Sequence, residues 1–206
     1  MFGISVIEAM GMTETSSVVF ANPQDPAKRK YGSPGIACGV EAKVIDAKSG
    51  SLLPAGVAGE ICLRGPGVTS AYYKSPEQTK AALDAEGWLR TGDLGHHDAD
   101  GYYFITGRLK ELIIKGGENI APREIDEVLL QHPAVLEAAS VGIPDPGYGQ
   151  EIRACVVLKP GAHASAKELR QFCLRELGRY KTPKEFRFLA ELPKGPSGKV
   201  QRLKLA

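Results

Sequence analysis

The sequence predicts a mixed α/β (α+β) chain in two parts, a β-rich first part and a smaller α+β second part. Three observations lead there. Residues 1–107 are dominated by short β-rich pieces, "SSVVFA", "EAKVID", "GEICLR" and "GYYFITG", set apart by Gly, Pro and Asp. A single helical stretch interrupts them. From Arg108 the rhythm changes and helical and extended segments alternate. A chain of 206 residues accommodates one or two domains and a buried core without staples. The boundary falls near Arg108–Lys110 with no long linker, giving parts 1–107 and 108–206.

In chain order, Ser75 is placed to cap the helix "PEQTKAALD", with Pro76 at its first position and Glu77 in its first turn. "DADGYYFI" reads as a strand entered through an Asp-Gly turn. "LKELIIKGG" reads as extended. "PREIDEVLLQH" is a helix with Ile125, Val128 and Leu129 on one face. "VLEAASVGIP" and "EIRACVVLKP" are strands. "SAKELRQFCLREL" opens with a capping box, Ser165 and Glu168. "EFRFLAEL" is a last strand before a basic tail.

Composition excludes little but shapes the reading. Formal net charge is +2, so nothing global argues for nucleic acid. The segment from Arg175 to Ala206 holds nine Lys/Arg against three Asp/Glu, which leaves the rest of the chain net acidic. A basic end suits a polyanionic ligand, and a solvated basic surface fits equally well. Cys38, Cys62, Cys155 and Cys173 form no CxxC pair, and Cys62 and Cys155 lie in apolar runs. Buried reduced thiols in a cytoplasmic protein are expected. "MFGISVIEAMG" has no basic leader region, and no apolar run approaches the ~18 residues that span a bilayer, so no stable membrane insertion is expected. His96, His97, His132 and His163 are expected to be solvated loop residues. "HHDAD" does not open an EF-hand loop, because Gly101 comes too early.

The chemistry-bearing strings are each weak alone. "LPKGPSGKVQR" holds Lys199 in a Gly-rich loop. It is no P-loop, since Pro193 replaces the first glycine and Val200 follows the lysine. In "GMTET", Thr13 can donate to a phosphate oxygen and Glu14 can bind Mg²⁺, which prefers hard oxygen ligands. A plain polar turn is the alternative. In "WLRTGDLG", the Asp93 carboxylate can take both hydroxyls of a ribose diol, or close an ordinary Asx turn. In "GRLKELIIKGGENIAPREI", Gly116 and Gly117 let a thin ligand approach the backbone, or simply close a hairpin.

Taken together, "GMTET", "GEICLRGPGVTSAYYKSPEQT", "GWLRTGDLG", "DGYYFITGRLKELIIKGGENIAPREID" and "PSGKVQR" follow one another as in the adenylate-forming enzymes, and the chain resembles that superfamily along essentially its whole length. It is most similar to the fatty-acid and 4-coumarate (aryl-acid) CoA ligases. The resemblance implies a β-rich, partly barrel-like lobe followed by a small, mobile C-terminal domain. It implies ATP, Mg²⁺ and coenzyme A as reactants and metal, a carboxylic acid as substrate, AMP as product, and a two-step reaction through an acyl-adenylate.

By position, the resemblance makes Thr13, Glu14 and Lys199 catalytic, with Glu14 as the metal ligand. Gly11, Met12, Thr13, Asp93, Ile105, Arg108 and Asn119 serve the nucleotide, Asp93 and Arg108 at the ribose. Lys110 is the hinge, and Lys115, Gly116 and Gly117 line the coenzyme A path. Lys199 would bridge the acid and the α-phosphate, brought by a terminal loop free to move. Two departures stand out. Met10 occupies the place of an adenine-stacking aromatic, and Asn119 that of a frequent glutamine. The family's upstream Ser/Thr/Gly-rich phosphate loop occurs nowhere in the chain. The expectation is therefore the C-terminal portion of a ligase, inactive alone, with a further chain supplying the N-terminal part. The alternatives are a non-catalytic module binding coenzyme A or nucleotide, one half of a split ligase, a peptide-synthetase adenylation domain (disfavoured by Lys110, where those carry Asp), or a luciferase-like oxygenase.

Overall fold

A computed structural model describes residues 5–206; the first four residues of the segment read for a leader lie outside the described part. The chain divides into two compact units, Met1–Leu109 and Lys110–Ala206. The mixed, β-rich character expected from the sequence is what the structure shows.

The first unit contains β1 (Ala9–Gly11), β2 (Val18–Ala21), β3 (Gly35–Ala37), β4 (Glu41–Ile45), β5 (Gly59–Arg64), α1 (Pro76–Ala82), β6 (Leu89–His97) and β7 (Tyr102–Arg108). Its seven strands form one sheet in the order β1-β2-β3-β7-β6-β5-β4. The β6–β7 hairpin turns at the Asp-Gly pair, where Gly101 has φ +83° and donates to the Asp98 carbonyl. Val19, Phe20, Val44, Ile61, Leu63 and Tyr103 form the core of this unit. Each such aliphatic side chain contributes roughly 1.5–3 kcal/mol on burial.

The second unit contains β8 (Ile113–Lys115), β9 (Glu118–Ile120), α2 (Pro122–Gln131), β10 (Val135–Asp145), β11 (Gly149–Leu158), α3 (Ala166–Lys181) and β12 (Glu185–Phe188). β11 is the hub: it pairs antiparallel with β10 and β8 and parallel with β12. Ile125 and Leu129 of α2 and Leu169 of α3 are fully buried against Ile113, Ile152 and Val156. Val128 is half-buried at the edge of the same cluster.

Several local expectations need correction. Ser75 sits at the N-cap of α1, but its side chain makes no capping bond. Thr79 supplies the local bonding instead, donating to the Ser75 carbonyl (2.9 Å) and accepting from the Tyr72 amide (2.9 Å). Ser165 does cap α3 by accepting from the Glu168 amide (3.2 Å), while the Glu168 carboxylate faces His132 at 3.6 Å. "LKE" is a single 3₁₀ turn, Leu109–Glu111, and the extended piece begins only at Ile113. His96 and His97 lie in β6 rather than a loop; His96 stacks on Phe104 and His97 lies tilted against Tyr103. His132 is buried, edge-on to Phe172 and accepting from the Ala134 amide. Cys62, Cys155 and Cys173 are buried free thiols, whereas Cys38 is exposed.

Candidate active site

Glu14 stands in a single 3₁₀ turn, Thr13–Thr15, that follows β1. The strand can turn so tightly because Gly11 lacks a Cβ, which would fall 2.7 Å from the Ser17 carbonyl oxygen. Thr15 is buried and ties the turn to itself. Its Oγ1 accepts from the Met12 amide and lies 3.0 Å from the Met12 and Ser17 carbonyls. Ser16, with φ 60°, closes the turn in the left-handed region. Met10 and Met12 pack half-buried on the Val19–Phe20 core. Thr13 is left exposed and Glu14 half-buried.

A second loop braces this turn. The Thr69 amide donates to the Glu14 carbonyl (2.7 Å), Ser16 Oγ donates to the Gly67 carbonyl (3.2 Å), and the Tyr72 hydroxyl donates to Glu14 Oε1 (3.0 Å). Burial first, and the Glu14 carboxylate second, push the Tyr72 phenol up, so it remains a donor at neutral pH. Tyr72 was quoted within a motif but assigned no role from sequence. The aromatic was visible there; its partner, 58 residues away, was not.

Asp93 and Arg108 are brought together. They face each other across β6 and β7, and Arg108 Nε lies 2.9 Å from Asp93 Oδ1. Asp93 is not in a free turn as expected. It lies within β6 and is 2% exposed, where the β5–β6 register slips between Glu60 and Cys62. Gly92 (φ +70°) makes that bulge, Thr91 Oγ1 accepts from the Asp93 amide (3.0 Å), and Glu60 accepts from the Gly92 amide (3.2 Å). Glu60 is buried and salt-bridged to Arg90 (2.5 Å). It shapes the Asp93 bulge and was missed from sequence. Ile105 of β7 packs half-buried on the core of the first unit.

The second unit carries the remaining candidates. Lys110 is its first residue and is exposed. Gly116 (φ 54°) and Gly117 (φ 86°) close the β8–β9 hairpin, with two left-handed residues in succession, as a type I′ turn requires. Lys115, assigned by resemblance to the coenzyme A path, does not point to solvent. Its side chain is turned inward, 2.5 Å from Glu151, donating to the Tyr180 carbonyl (2.9 Å), within 5.0 Å of the Tyr180 ring and 5.5 Å of the Tyr148 ring. The Lys115 ammonium is thus committed to the interior, and the backbone of the glycines is what the turn presents. Asn119 is exposed on β9 and lines a cavity of about 290 Å³ with Tyr180 and Lys181.

Lys199 is exposed in the tip of a hairpin closed by the Lys194–Val200 bridge. The Gly195 amide donates to the Lys199 carbonyl (2.8 Å), the Gly198 amide to the Gly195 carbonyl (2.9 Å), and the Gln201 amide to the Pro193 carbonyl (2.8 Å). Gly198 takes φ +77°. Residues 194–200 thus form a tight, internally bonded turn holding one lysine out.

Among the described residues no group of three or more His, Cys, Asp or Glu could hold a metal. The donor set fits Mg²⁺ carried by a nucleotide, since Mg²⁺ is commonly held by one or two carboxylates plus substrate phosphates and water. With Oε1 taken by Tyr72, Glu14 has a second carboxylate oxygen for such an ion, and the preceding residue, Thr13, is exposed. No helix of the described residues is long and apolar enough to cross a membrane.

Comparison with known proteins extends this picture. The family model for the AMP-binding enzyme matches residues 1–73, and that for the AMP-binding enzyme C-terminal domain matches 124–199. The chain is 64% identical over 204 residues to a sulfoacetate–CoA ligase of Cupriavidus necator, covering 99% of this chain and 40% of that protein. It is 41% identical to an oxalate–CoA ligase of Arabidopsis thaliana, covering 98% and 39%. Among solved structures, ATP-bound MatB from Rhodopseudomonas palustris is 38% identical with a TM-score of 0.92, covering 98% of this chain and 40% of that one. The o-succinylbenzoate CoA synthetase of Bacillus subtilis with its acyl-adenylate is 37% identical with a TM-score of 0.89, covering 98% and 41%. The chain thus spans about two-fifths of the length of these proteins.

Proposed function

Because the chain belongs to the AMP-binding, adenylate-forming enzymes and corresponds to their C-terminal part, we propose that it works within an ATP-dependent carboxylic acid–CoA ligase. In the first step a carboxylate oxygen of the acid attacks the α-phosphorus of ATP, and the bond to pyrophosphate breaks. In the second, the coenzyme A sulfur attacks the acyl carbon of the adenylate and AMP leaves. Mg²⁺, when bound, neutralises phosphate charge.

The observation that carries this reading is the Asp93–Arg108 pair. Two residues that the resemblance assigns to one ribose stand 2.9 Å apart on neighbouring strands. Asp93 accepts from ribose hydroxyls, and Arg108 holds its carboxylate in place. Glu14, oriented by Tyr72, would hold Mg²⁺ through its other carboxylate oxygen. Thr13 donates to a phosphate oxygen. Lys199 offers a compact ammonium to the acid and the α-phosphate while negative charge builds during attack. The Gly116–Gly117 turn presents backbone to the pantetheine arm. Both steps depend on holding two anionic or nucleophilic groups together against their repulsion.

ATP–pyrophosphate exchange tests the reading. The full ligase carrying this chain is expected to exchange label with at least one acid from a panel of fatty, aryl, sulfonated and dicarboxylic acids. The last two classes enter because relatives bear the names sulfoacetate–CoA and oxalate–CoA ligase. The 206-residue chain alone is expected to give none. Exchange by the isolated chain would contradict its dependence on a further part, and silence of the full ligase with every acid would remove the ligase reading. A cytoplasmic setting is proposed on the three buried free thiols.

A further inference from the structure

Lys199 stands on a hairpin whose foot is held by one guanidinium. Arg202, three residues on, is largely buried, with its side chain 18% exposed. Its Nη2 lies 2.5 Å from Asp126 Oδ2, its Nη1 donates to the Ser140 carbonyl (3.0 Å), and its Nε lies 3.0 Å from Glu111 Oε2. Asp126, on α2, is 5% exposed, and its other oxygen accepts from the Ser140 amide (2.6 Å). Glu111 directly follows Lys110. The chain beyond Arg202 is also fixed: Leu205 is buried among Ala139, Val141 and Cys155, and Arg153 donates to its carbonyl (3.2 Å).

A hairpin that only displayed a solvated lysine needs no such foot. Bringing two carboxylates and a carbonyl onto one largely buried guanidinium is costly in desolvation unless all three contacts are met. They are met here in three directions, which the flat guanidinium fork can do and an ammonium cannot reproduce. The three partners come from the start of the second unit, from α2 and from β10. We propose that Arg202 is a positioning residue that joins the Lys199 hairpin to the segment beginning at Lys110, so that the direction of Lys199 is set where the second unit starts. Its bearing on catalysis rests on the function proposed for Lys199; the mechanical coupling does not.

Amide hydrogen exchange on the 206-residue chain reads the coupling without activity. The reporters are the amides of Gly195, Gly198 and Gln201, with the β10–β11 ladder away from Ser140 and Ala154 as internal reference. Arg202→Lys is expected to speed the three reporters at least ~10-fold relative to the ladder. Glu111→Gln, which changes only the half-exposed partner of Arg202 Nε and leaves Asp126 paired, is expected to speed them ~3-fold. Unchanged reporters, or equal acceleration of reporters and ladder, would overturn the coupling. In the full ligase, Arg202→Lys is expected to lower kcat for ATP–pyrophosphate exchange at unchanged KM for ATP and to spare thioester formation from supplied acyl-adenylate. Equal loss in both half-reactions would overturn the positioning of Lys199. A wild-type ligase inactive with every acid would end the functional reading and leave the exchange experiment to decide the coupling.

Discussion

Lys115 and Lys199 begin alike and end differently. Each adjoins glycine in a tight turn of the second unit, and each looks from sequence like a cation offered to a polyanion. The backbones remain alike in the structure, with left-handed glycines at Gly116, Gly117 and Gly198. The side chains diverge. Lys115 is 5% exposed against Glu151, which is 6% exposed, and lies between two tyrosines. Lys199 is exposed on a closed hairpin. A glycine-rich turn therefore says how the chain bends, while the use of its lysine is decided by whatever packs beside the turn.

The largest effect expected from this contrast is on stability. Lys115→Ala strands the buried Glu151 carboxylate and is expected to cost ~3–5 kcal/mol, read as a shift of the urea midpoint of the chain. Lys115→Met with Glu151→Leu replaces both charges by apolar groups and is expected to recover most of that loss. A single substitution costing no more than a surface change would show that the ion pair does not hold the turn.

Lys199→Ala is expected to do the reverse. Stability should move by less than ~0.5 kcal/mol, as for an exposed side chain. Acyl-adenylate formation by the full ligase should fall ~10²–10³-fold, the usual cost of removing one donor aimed at developing charge. Thioester formation from preformed adenylate should be nearly unchanged. Equal loss in the two half-reactions counts against the assignment of Lys199.

How much of this was legible follows from where the information sits. β5, β7, β10 and β11 were readable because their apolar alternation or runs and their Gly, Pro and Asp boundaries are local. The α3 cap was readable because Ser165 and its partner amide are three residues apart. The inward turn of Lys115 was not, because its partners lie at 148, 151 and 180 and meet it only once β8 has paired with β11. The Asp93 bulge depends likewise on Glu60, 32 residues before Gly92. His132 looked like a solvated residue after a helix, and the Phe172 ring that covers it arrives with α3. The order of the motifs was legible in the sequence, while the partners of their charged groups came from the register of the two sheets.

The shared backbone geometry predicts a smaller, equal effect. Gly117→Ala and Gly198→Ala place a Cβ in open space, with nothing within 4 Å, so the cost is conformational alone. Each is expected to lose ~1–2 kcal/mol, and Asn, which tolerates the left-handed region, less. Urea unfolding of the two alanine variants should agree within error. A clear difference between them would mean that one turn is held by more than its dihedral angles.

The smallest effect is a pH dependence set by one carboxyl, Asp145, that should touch one lysine's surroundings and not the other's. Asp145 begins the turn between β10 and β11. Lys184 above all, then the Gly147 and Tyr148 amides, hold its carboxyl down at about 2. Tyr148 is the ring beside Lys115, and its carbonyl accepts from the Gly116 amide (2.8 Å). The folded carboxyl titrates below its unfolded value of ~3.9. Its stabilising contribution is therefore complete above about pH 4 and is lost as pH falls toward 2. Acidification through that window should speed exchange of the Gly116 amide, whereas the Gly195 and Gln201 amides, in the Lys199 hairpin, depend on Asp126 and Glu111 through Arg202 and not on Asp145. Asp145→Asn should flatten the Gly116 dependence. A carboxyl that titrates near 4, or a Gly195 amide whose pH response also flattens in Asp145→Asn, would mean that the two turns are not separately supported.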